Sequence, residues 1–196
     1  MFLFYKSVAL CNTLFYHKAP GMTKFTLIMM MIAVVPLFVN CTSDPNTEIT
    51  VSSNAFKPNN LIPDKYTCNG ENVSPQLSWT KGPEKTKTYV LICDDPDAPS
   101  KVWVHWLIFN IPAATIQIDE NAANIPGAKY GTTDFRNTKY GGPCPPSGTH
   151  HYHFRIYALD SELALDARAT RAEIENAMKD HILAKGELIG LYCRKK

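Results

Sequence analysis

Five stretches of the chain are rich in β-branched and aromatic residues, and turn-forming Pro, Gly, Asn and Asp residues lie between them. Such stretches are typical of strands, because branched and aromatic side chains pack well on a pleated surface. The pattern predicts a mainly β fold with antiparallel sheets. The expected strands are at residues 48–52, 88–93, 102–111, 152–159 and 187–193.

One segment near the carboxyl end has the period of a helix instead. Thr170 can cap it, and Glu173 falls three residues later, as a capping box requires. Apolar side chains then recur along one helical face, at Ile174, Ala177, Met178 and Ile182. Because glycine commonly ends helices, the helix is predicted to stop near residues 185–186.

Residues 1–41 differ from the rest of the chain and predict a signal or targeting segment. Lys24 precedes an apolar run at residues 25–39, which ends just before Cys41. The run is shorter than the roughly 20 apolar residues that a stable membrane-spanning helix needs, and Pro36 shortens it further. We therefore expect export, with a retained membrane anchor as the alternative.

Cys41 stands where the lipid-modified cysteine of a bacterial lipoprotein would stand, just before a polar linker at residues 42–47. The likeness is partial, because Phe38 and Asn40 occupy places where such signals usually carry Leu and a small residue. Two outcomes stay open: a lipid on Cys41 that attaches the protein to a membrane, or a cleaved signal that leaves a thiol. The expected location is therefore periplasmic, in solution or as a membrane-anchored lipoprotein, with Met22 as a candidate start of translation.

The remaining residues, 48–196, number about 150, which is the size of one ordinary domain. The whole chain has 20 basic and 18 acidic side chains, and three of the basic ones lie in the amino-terminal segment. The expected domain is therefore almost neutral. It lacks the clustered positive charge that binds a nucleic-acid backbone, so we expect no nucleic-acid partner.

The domain contains four cysteines, Cys68, Cys93, Cys144 and Cys193, and no C-x-x-C pair of the kind used in zinc ribbons. Export would permit disulfides, and four cysteines allow three pairings. Cys68 and Cys144 lie in loops rich in Gly and Pro, whereas Cys93 lies in an apolar strand and is expected in the core. This placement favours a bridge between Cys68 and Cys144.

Two loops and one strand carry the candidate chemistry. The loop at residues 94–100 interleaves three carboxylates with two prolines, and the loop at 140–149 is rich in Gly and Pro and leads into His150. Glycine permits close backbone approach to a ligand, and proline fixes the shape of a loop. Between the loops, His105 interrupts an apolar strand. Taken singly, each feature is more typical of a solvated turn or a core histidine than of a site.

Together, the three segments resemble a known family in order and spacing. They read Asp-Pro-Asp-Ala-Pro at 95–99, His-Trp-Leu-Ile-Phe-Asn-Ile-Pro at 105–112, and Gly-Gly-Pro-Cys-Pro-Pro-Ser-Gly at 141–148. The likeness extends upstream to residues 62–70 and 74–79. The chain is similar to the phosphatidylethanolamine-binding protein family, also called Raf kinase inhibitor-like, and in particular to its bacterial branch.

This resemblance implies packed antiparallel β-sheets with a carboxy-terminal helix, and a pocket for a small anionic or phosphorylated ligand such as phosphoethanolamine. The histidines, the tyrosine and the loop amides of this pocket would donate to phosphate oxygens. Carried over by motif position, the pocket residues are Asp95, Asp97, Ala98, Pro99, His105, Gly142, Pro143, Cys144, Pro145, Pro146, His150 and Tyr152. Alternation along a strand predicts that His150 and Tyr152 share one face while His151 and His153 lie on the other.

The sequence departs from the family pattern at residues 133–137, where Arg136 stands in place of the expected glycine and leaves the shape of that rim open.

Other functions also remain open. A hydrolase would use Asp95, His105 and His150, but no G-x-S-x-G motif is present. A metal site would use the two histidines with a carboxylate, without short-range ligand spacing to support it. We expect a non-enzymatic binding protein without a cofactor. The further alternative is a protein-interaction or inhibitor module with a vestigial pocket. A protein partner or a homodimer also stays open.

Overall fold

The computed structural model describes residues 48–194, so the predicted signal segment, the linker and Cys41 lie outside the described residues. Within that range, no helix is long and apolar enough to cross a bilayer. The described residues form eight strands, one short 3-10 helix at Asp64–Tyr66 and one α-helix, α1, at Arg171–Met178. The strands are β1 Val51–Ser52, β2 Leu77–Trp79, β3 Thr88–Asp95, β4 Trp103–Pro112, β5 Gln117–Ile118, β6 Lys129–Tyr130, β7 Thr149–Leu159 and β8 Ile182–Cys193.

The strands form two antiparallel sheets, which confirms the predicted fold class. The larger sheet has the order β6-β4-β3-β7-β8, and the smaller one has the order β1-β2-β5. One apolar cluster joins the smaller sheet to the larger one, and includes Leu77, Trp79, Leu91 and Phe154. A second cluster packs α1 against the opposite face of the larger sheet. Because β3 is covered on both faces, all eight of its residues are buried.

The amino end of the helix forms as predicted, but its carboxyl end does not. Thr170 and Glu173 make the reciprocal hydrogen bonds of a capping box, and Ile174 and Met178 are buried. The helix ends at Met178 rather than near residues 185–186, and β8 already begins at Ile182. The prediction was wrong because pairing with the long strand β7 takes residues 182–186 into the sheet, where Ile182 is exposed.

The carboxyl end of β3 carries a buried carboxylate that ties the sheet to the helix. Asp94 is fully buried and forms ion pairs with Arg155 on β7 and with Arg171, the first residue of α1. The Arg171 Nη1 to Asp94 Oδ2 distance is 2.8 Å, and Arg155 also contacts Glu187 on β8 at 2.8 Å. A buried carboxylate is stable only when it is paired, so these two arginines compensate the charge that β3 brings into the interior.

Replacing Arg155 with methionine should therefore destabilise the protein. Arg155→Met leaves Asp94 with Arg171 as its single cation, and we expect the free energy of unfolding to fall by about 2 kcal/mol. Lys57→Met at an exposed position is the control and should change it by less than about 0.5 kcal/mol. Denaturant unfolding with the disulfide intact measures both; equal effects in the two variants would contradict this role of Arg155.

Candidate functional site

A cavity of about 230 Å³ lies at the end of the larger sheet, where β3 ends and β4 and β7 begin. Because β3 is antiparallel to both neighbours, its last residue, Asp95, pairs with Trp103 at the start of β4 and lies beside the first part of β7. The residues that line the cavity are Asp95, Ala98, Pro99, Trp103, His105, Phe135, Cys144, Pro145, Pro146, His150 and Tyr152.

Asp95 and His150 form a buried hydrogen-bonded pair in the cavity wall. His150 Nδ1 lies 2.7 Å from Asp95 Oδ2, and the two residues are 6% and 4% exposed. The other carboxylate oxygen of Asp95 accepts from the Asp97 amide at 2.9 Å. Since an ionised carboxylate only accepts, Nδ1 of His150 carries a proton, and Nε2 is the nitrogen left for a ligand.

His105 offers an acceptor nitrogen, whereas the resemblance implied an N–H donor. Its Nδ1 lies 2.5 Å from the carbonyl oxygen of Gly141, and a carbonyl can only accept, so Nδ1 carries the proton. Burial lowers the pKa of His105, and the Gly141 carbonyl and nearby carboxylates offset this only in part. The ring is therefore neutral, and its Nε2 is an acceptor. The expected N–H donation from His105 to an anion does not hold for this tautomer.

Tyr152 supplies a neutral hydroxyl. Burial raises the pKa of Tyr152, and the charge of Asp95 raises it further, so the phenol stays protonated across the physiological range. The Asp95 carboxylate and the Cys144 backbone lie near the hydroxyl. Within residues 48–194, however, no group meets it with hydrogen-bond geometry, although the residue is only 1% exposed. A buried hydroxyl without a partner is costly, and this one is available to donate to a ligand.

The Gly- and Pro-rich loop is held in place from outside the cavity. The Gly142 amide donates to Asn72 Oδ1 at 2.7 Å, and a side chain at Gly142 would collide with the Tyr66 carbonyl oxygen, because its Cβ would come within 2.5 Å of that oxygen. The Pro143 carbonyl accepts from the Cys68 amide at 3.1 Å. Gly142 and Pro143 therefore support the loop and do not line the cavity.

The predicted bridge between Cys68 and Cys144 is present, with Cα atoms 5.4 Å apart. Both cysteines are exposed, and the bridge joins the cavity loop to the segment that follows the 3-10 helix. Cys93 is buried and free, as expected for a core position, and Cys193 is free and exposed.

Asp97 also lies outside the cavity lining. Its carboxylate accepts from the backbone amide of His151 at 2.8 Å and contacts the His151 ring at 2.7 Å. These hydrogen bonds lower the pKa of Asp97. His151 and His153 lie on the face of β7 opposite His150 and Tyr152, as alternation along the strand predicted. Asp97 thus anchors the loop that carries Ala98 and Pro99 to the outer face of β7.

Nine of the twelve residues proposed from the sequence line one cavity, and two further lining residues were missed. Trp103 could have been found, because it lies two positions before His105 and therefore on the same face of β4. Phe135 packs edge-on against Trp103 and against the His105 ring, with centroids 5.6 and 5.4 Å away. Arg136, in place of the family's glycine, has a φ of 59°, so this rim makes its left-handed turn without glycine.

The cavity is poor in formal charge. Among the described residues that line it, none is a lysine or an arginine, and Asp95 is the one carboxylate. The described part of the chain contains no group of three His, Cys, Asp or Glu side chains placed to hold a metal ion. The arrangement offers a hydroxyl donor, two histidines with their Nδ1 atoms already bonded, and otherwise apolar walls.

Known proteins are similar to this chain in sequence and in fold. The profile of the phosphatidylethanolamine-binding protein family matches residues 52–193. A UPF0098 protein of Methanothermobacter thermautotrophicus is 49% identical over 150 residues, which cover 74% of this chain and 99% of that protein. A UPF0098 protein of Aquifex aeolicus is 44% identical over 150 residues, covering 74% and 88% of the two chains.

Two solved structures are also similar to this chain. A putative phosphatidylethanolamine-binding protein homologue of Chlamydia trachomatis is 35% identical and has a TM-score of 0.72, covering 76% of this chain and 99% of that one. E. coli YbcL, described as a member of the mammalian PEBP family, is 32% identical with a TM-score of 0.71 and the same coverage. The chain belongs to the phosphatidylethanolamine-binding protein family.

Proposed function

We propose that this family member is an exported binding protein that holds a small phosphorylated ligand in the cavity beside Asp95 and His150. The observation that carries the proposal is the Tyr152 hydroxyl, which has no hydrogen-bond partner among residues 48–194 and is buried next to the hydrogen-bonded Asp95–His150 pair at the end of β3. Polar groups that are buried in this way are normally satisfied, and a bound oxyanion would satisfy this one.

The Asp95–His150 pair suits the same ligand. Asp95 holds His150 through Nδ1, so a second proton on the ring sits on Nε2 and adds both a positive charge and a donor. Tyr152 supplies a second, neutral donor from the same strand face. These two donors, one of them held by Asp95, can bind two oxygens of one phosphate group.

The size of the cavity limits the ligand. At about 230 Å³, it is smaller than the roughly 300–1,000 Å³ typical of pockets for drug-sized molecules. A phosphate group with a short substituent, such as methyl phosphate or phosphoethanolamine, fits this volume. The apolar walls formed by Ala98, Pro99 and Pro145 would pack against the substituent.

Calorimetric titration with methyl phosphate tests the proposal. His150→Ala should weaken binding by about 10- to 100-fold, because a charge-assisted hydrogen bond contributes about 1.5–3 kcal/mol. His181→Ala is the matched control, since His181 also contacts a carboxylate, Asp160, at 2.7 Å but lies beyond the opposite end of β7. It should bind like the wild type. Absence of binding to the wild-type protein would exclude the proposal and favour a protein-interaction module.

Export is proposed on separate grounds. The bridge between Cys68 and Cys144 is exposed at both cysteines, and such disulfides persist in oxidising compartments such as the periplasm. The apolar run at residues 25–39 followed by Cys41 supplies the targeting signal and a site for lipidation.

If Cys41 is lipidated, the mature protein should partition into the detergent phase, and Cys41→Ser should move it to the aqueous phase. Cys193→Ser, which removes an exposed free thiol of the described domain, is the control and should leave partitioning unchanged. Partitioning of Cys41→Ser that matches the wild type would exclude lipid attachment at this cysteine.

A further inference from the structure

We infer that the cavity selects oxyanions that still carry an acid proton, such as a phosphate monoester monoanion, and that His105 is the residue that imposes this requirement. The inference rests on the proposed function and specifies its ligand further. It predicts that oxyanions of the same charge and shape without a P–O–H group, such as sulfate esters, are rejected.

The tautomer of His105 is fixed by its surroundings. Nδ1–H of His105 donates to the Gly141 carbonyl oxygen at 2.5 Å, which leaves Nε2 as the one polar ring atom available to a ligand. Phe135 and Tyr152 also contact the ring edge-on, with centroids 5.4 and 5.2 Å away. Turning it over would leave a buried carbonyl without its donor, and buried polar groups that lose their partner are strongly disfavoured.

The neutral His105 ring cannot easily gain a proton. His105 is 4% exposed, and burial lowers its pKa. The titratable groups around the ring are Asp95 on β3, His150 and Tyr152 on β7, and more distantly Asp94 and Asp134. The carboxylates favour protonation of the ring, but the desolvation of a charged ring outweighs them.

A ligand in this cavity therefore meets an acceptor at His105. An oxygen without a hydrogen placed against Nε2 of His105 would bring two lone pairs together, whereas a P–O–H group would donate to it. The remaining phosphate oxygens would accept from Tyr152 and, when the His150 ring carries its second proton, from Nε2–H of His150. A fully ionised oxyanion would also face Asp95, and none of the described lining residues is a lysine or arginine that could compensate. The cavity matches a group with one acidic hydroxyl and at least two accepting oxygens.

Methyl phosphate and methyl sulfate form a matched pair that isolates the acid proton. Near pH 5.5 a phosphate monoester is largely the monoanion, because its second pKa is about 6, and it then has the charge and shape of methyl sulfate but retains one hydroxyl. We expect wild-type protein to bind methyl phosphate about 10- to 100-fold more tightly than methyl sulfate in calorimetric titrations at this pH. Dimethyl phosphate, a monoanion without the hydroxyl, should behave like methyl sulfate.

The pH dependence of the two affinities provides a second test. As pH rises from about 5.5 to 8, methyl phosphate loses its last proton, so its advantage over methyl sulfate should shrink at least tenfold. Taking the ratio of the two affinities at each pH removes the contribution of protein groups that titrate and act on both ligands. His105→Gln, whose amide can either accept or donate, should bring the ratio close to one at pH 5.5.

The possible outcomes distinguish the inference from the proposed function. If methyl phosphate and methyl sulfate bind the wild-type protein equally well, the inference is wrong and the proposed function stands. If neither ligand binds, both are wrong.

Nitrogen NMR of His105 in wild-type protein serves if His105→Gln fails to fold. The expected spectrum at pH 7 shows a protonated Nδ1 and a bare Nε2. A proton on Nε2 at that pH would overturn the inference.

Discussion

The carboxyl end of β3 buries two adjacent carboxylates, and the site depends on how each one is compensated. Asp94 and Asp95 point to opposite faces of the same sheet, as neighbours on a strand must. Asp94 is held by Arg155 and Arg171 on the face covered by α1, and Asp95 by His150 and the Asp97 amide on the other. Because unpaired buried charges are costly, the helix, β7 and the loop after β3 are all fixed relative to this one strand end.

Contacts within the protein also hold the ring nitrogens and the loop of the cavity. Each of its two histidines uses Nδ1 on a partner within the protein, so a ligand meets ring nitrogens with fixed direction. The loop that closes the cavity is held by the Gly142 amide, the Pro143 carbonyl and the bridge from Cys144 to Cys68. Preorganised polar groups of this kind favour selective binding, because they lose little conformational entropy when the ligand binds.

Much of the fold could be predicted from the sequence, because strong local patterns agree with the final packing. The long strands β3, β4 and β7 are rich in branched and aromatic residues, and the capping box marks the start of α1. The end of α1 could not be predicted, since Leu183 and Ala184 suit a helix, and only pairing with β7 places them in a strand. Strands of two or three residues, such as β2 and β5, leave no periodic signal.

For the site, the sequence placed most lining residues but not their chemistry. Motif position brought Asp95, His105, His150 and Tyr152 together, and the structure places all four around one cavity. The tautomer of His105 depends on the Gly141 carbonyl, 36 residues further along the chain, which no local pattern reveals. Asp97, which motif position also assigned to the pocket, is instead turned to His151 on the outer face of β7.

A crystal structure of the protein with methyl phosphate tests most directly whether the cavity binds a phosphate group through His105, His150 and Tyr152. We expect the phosphate inside this cavity, with separate oxygens within hydrogen-bond distance of His105 Nε2, His150 Nε2 and Tyr152 Oη. A phosphate bound elsewhere, or a cavity that stays free of it at saturating concentration, would contradict this account of the site.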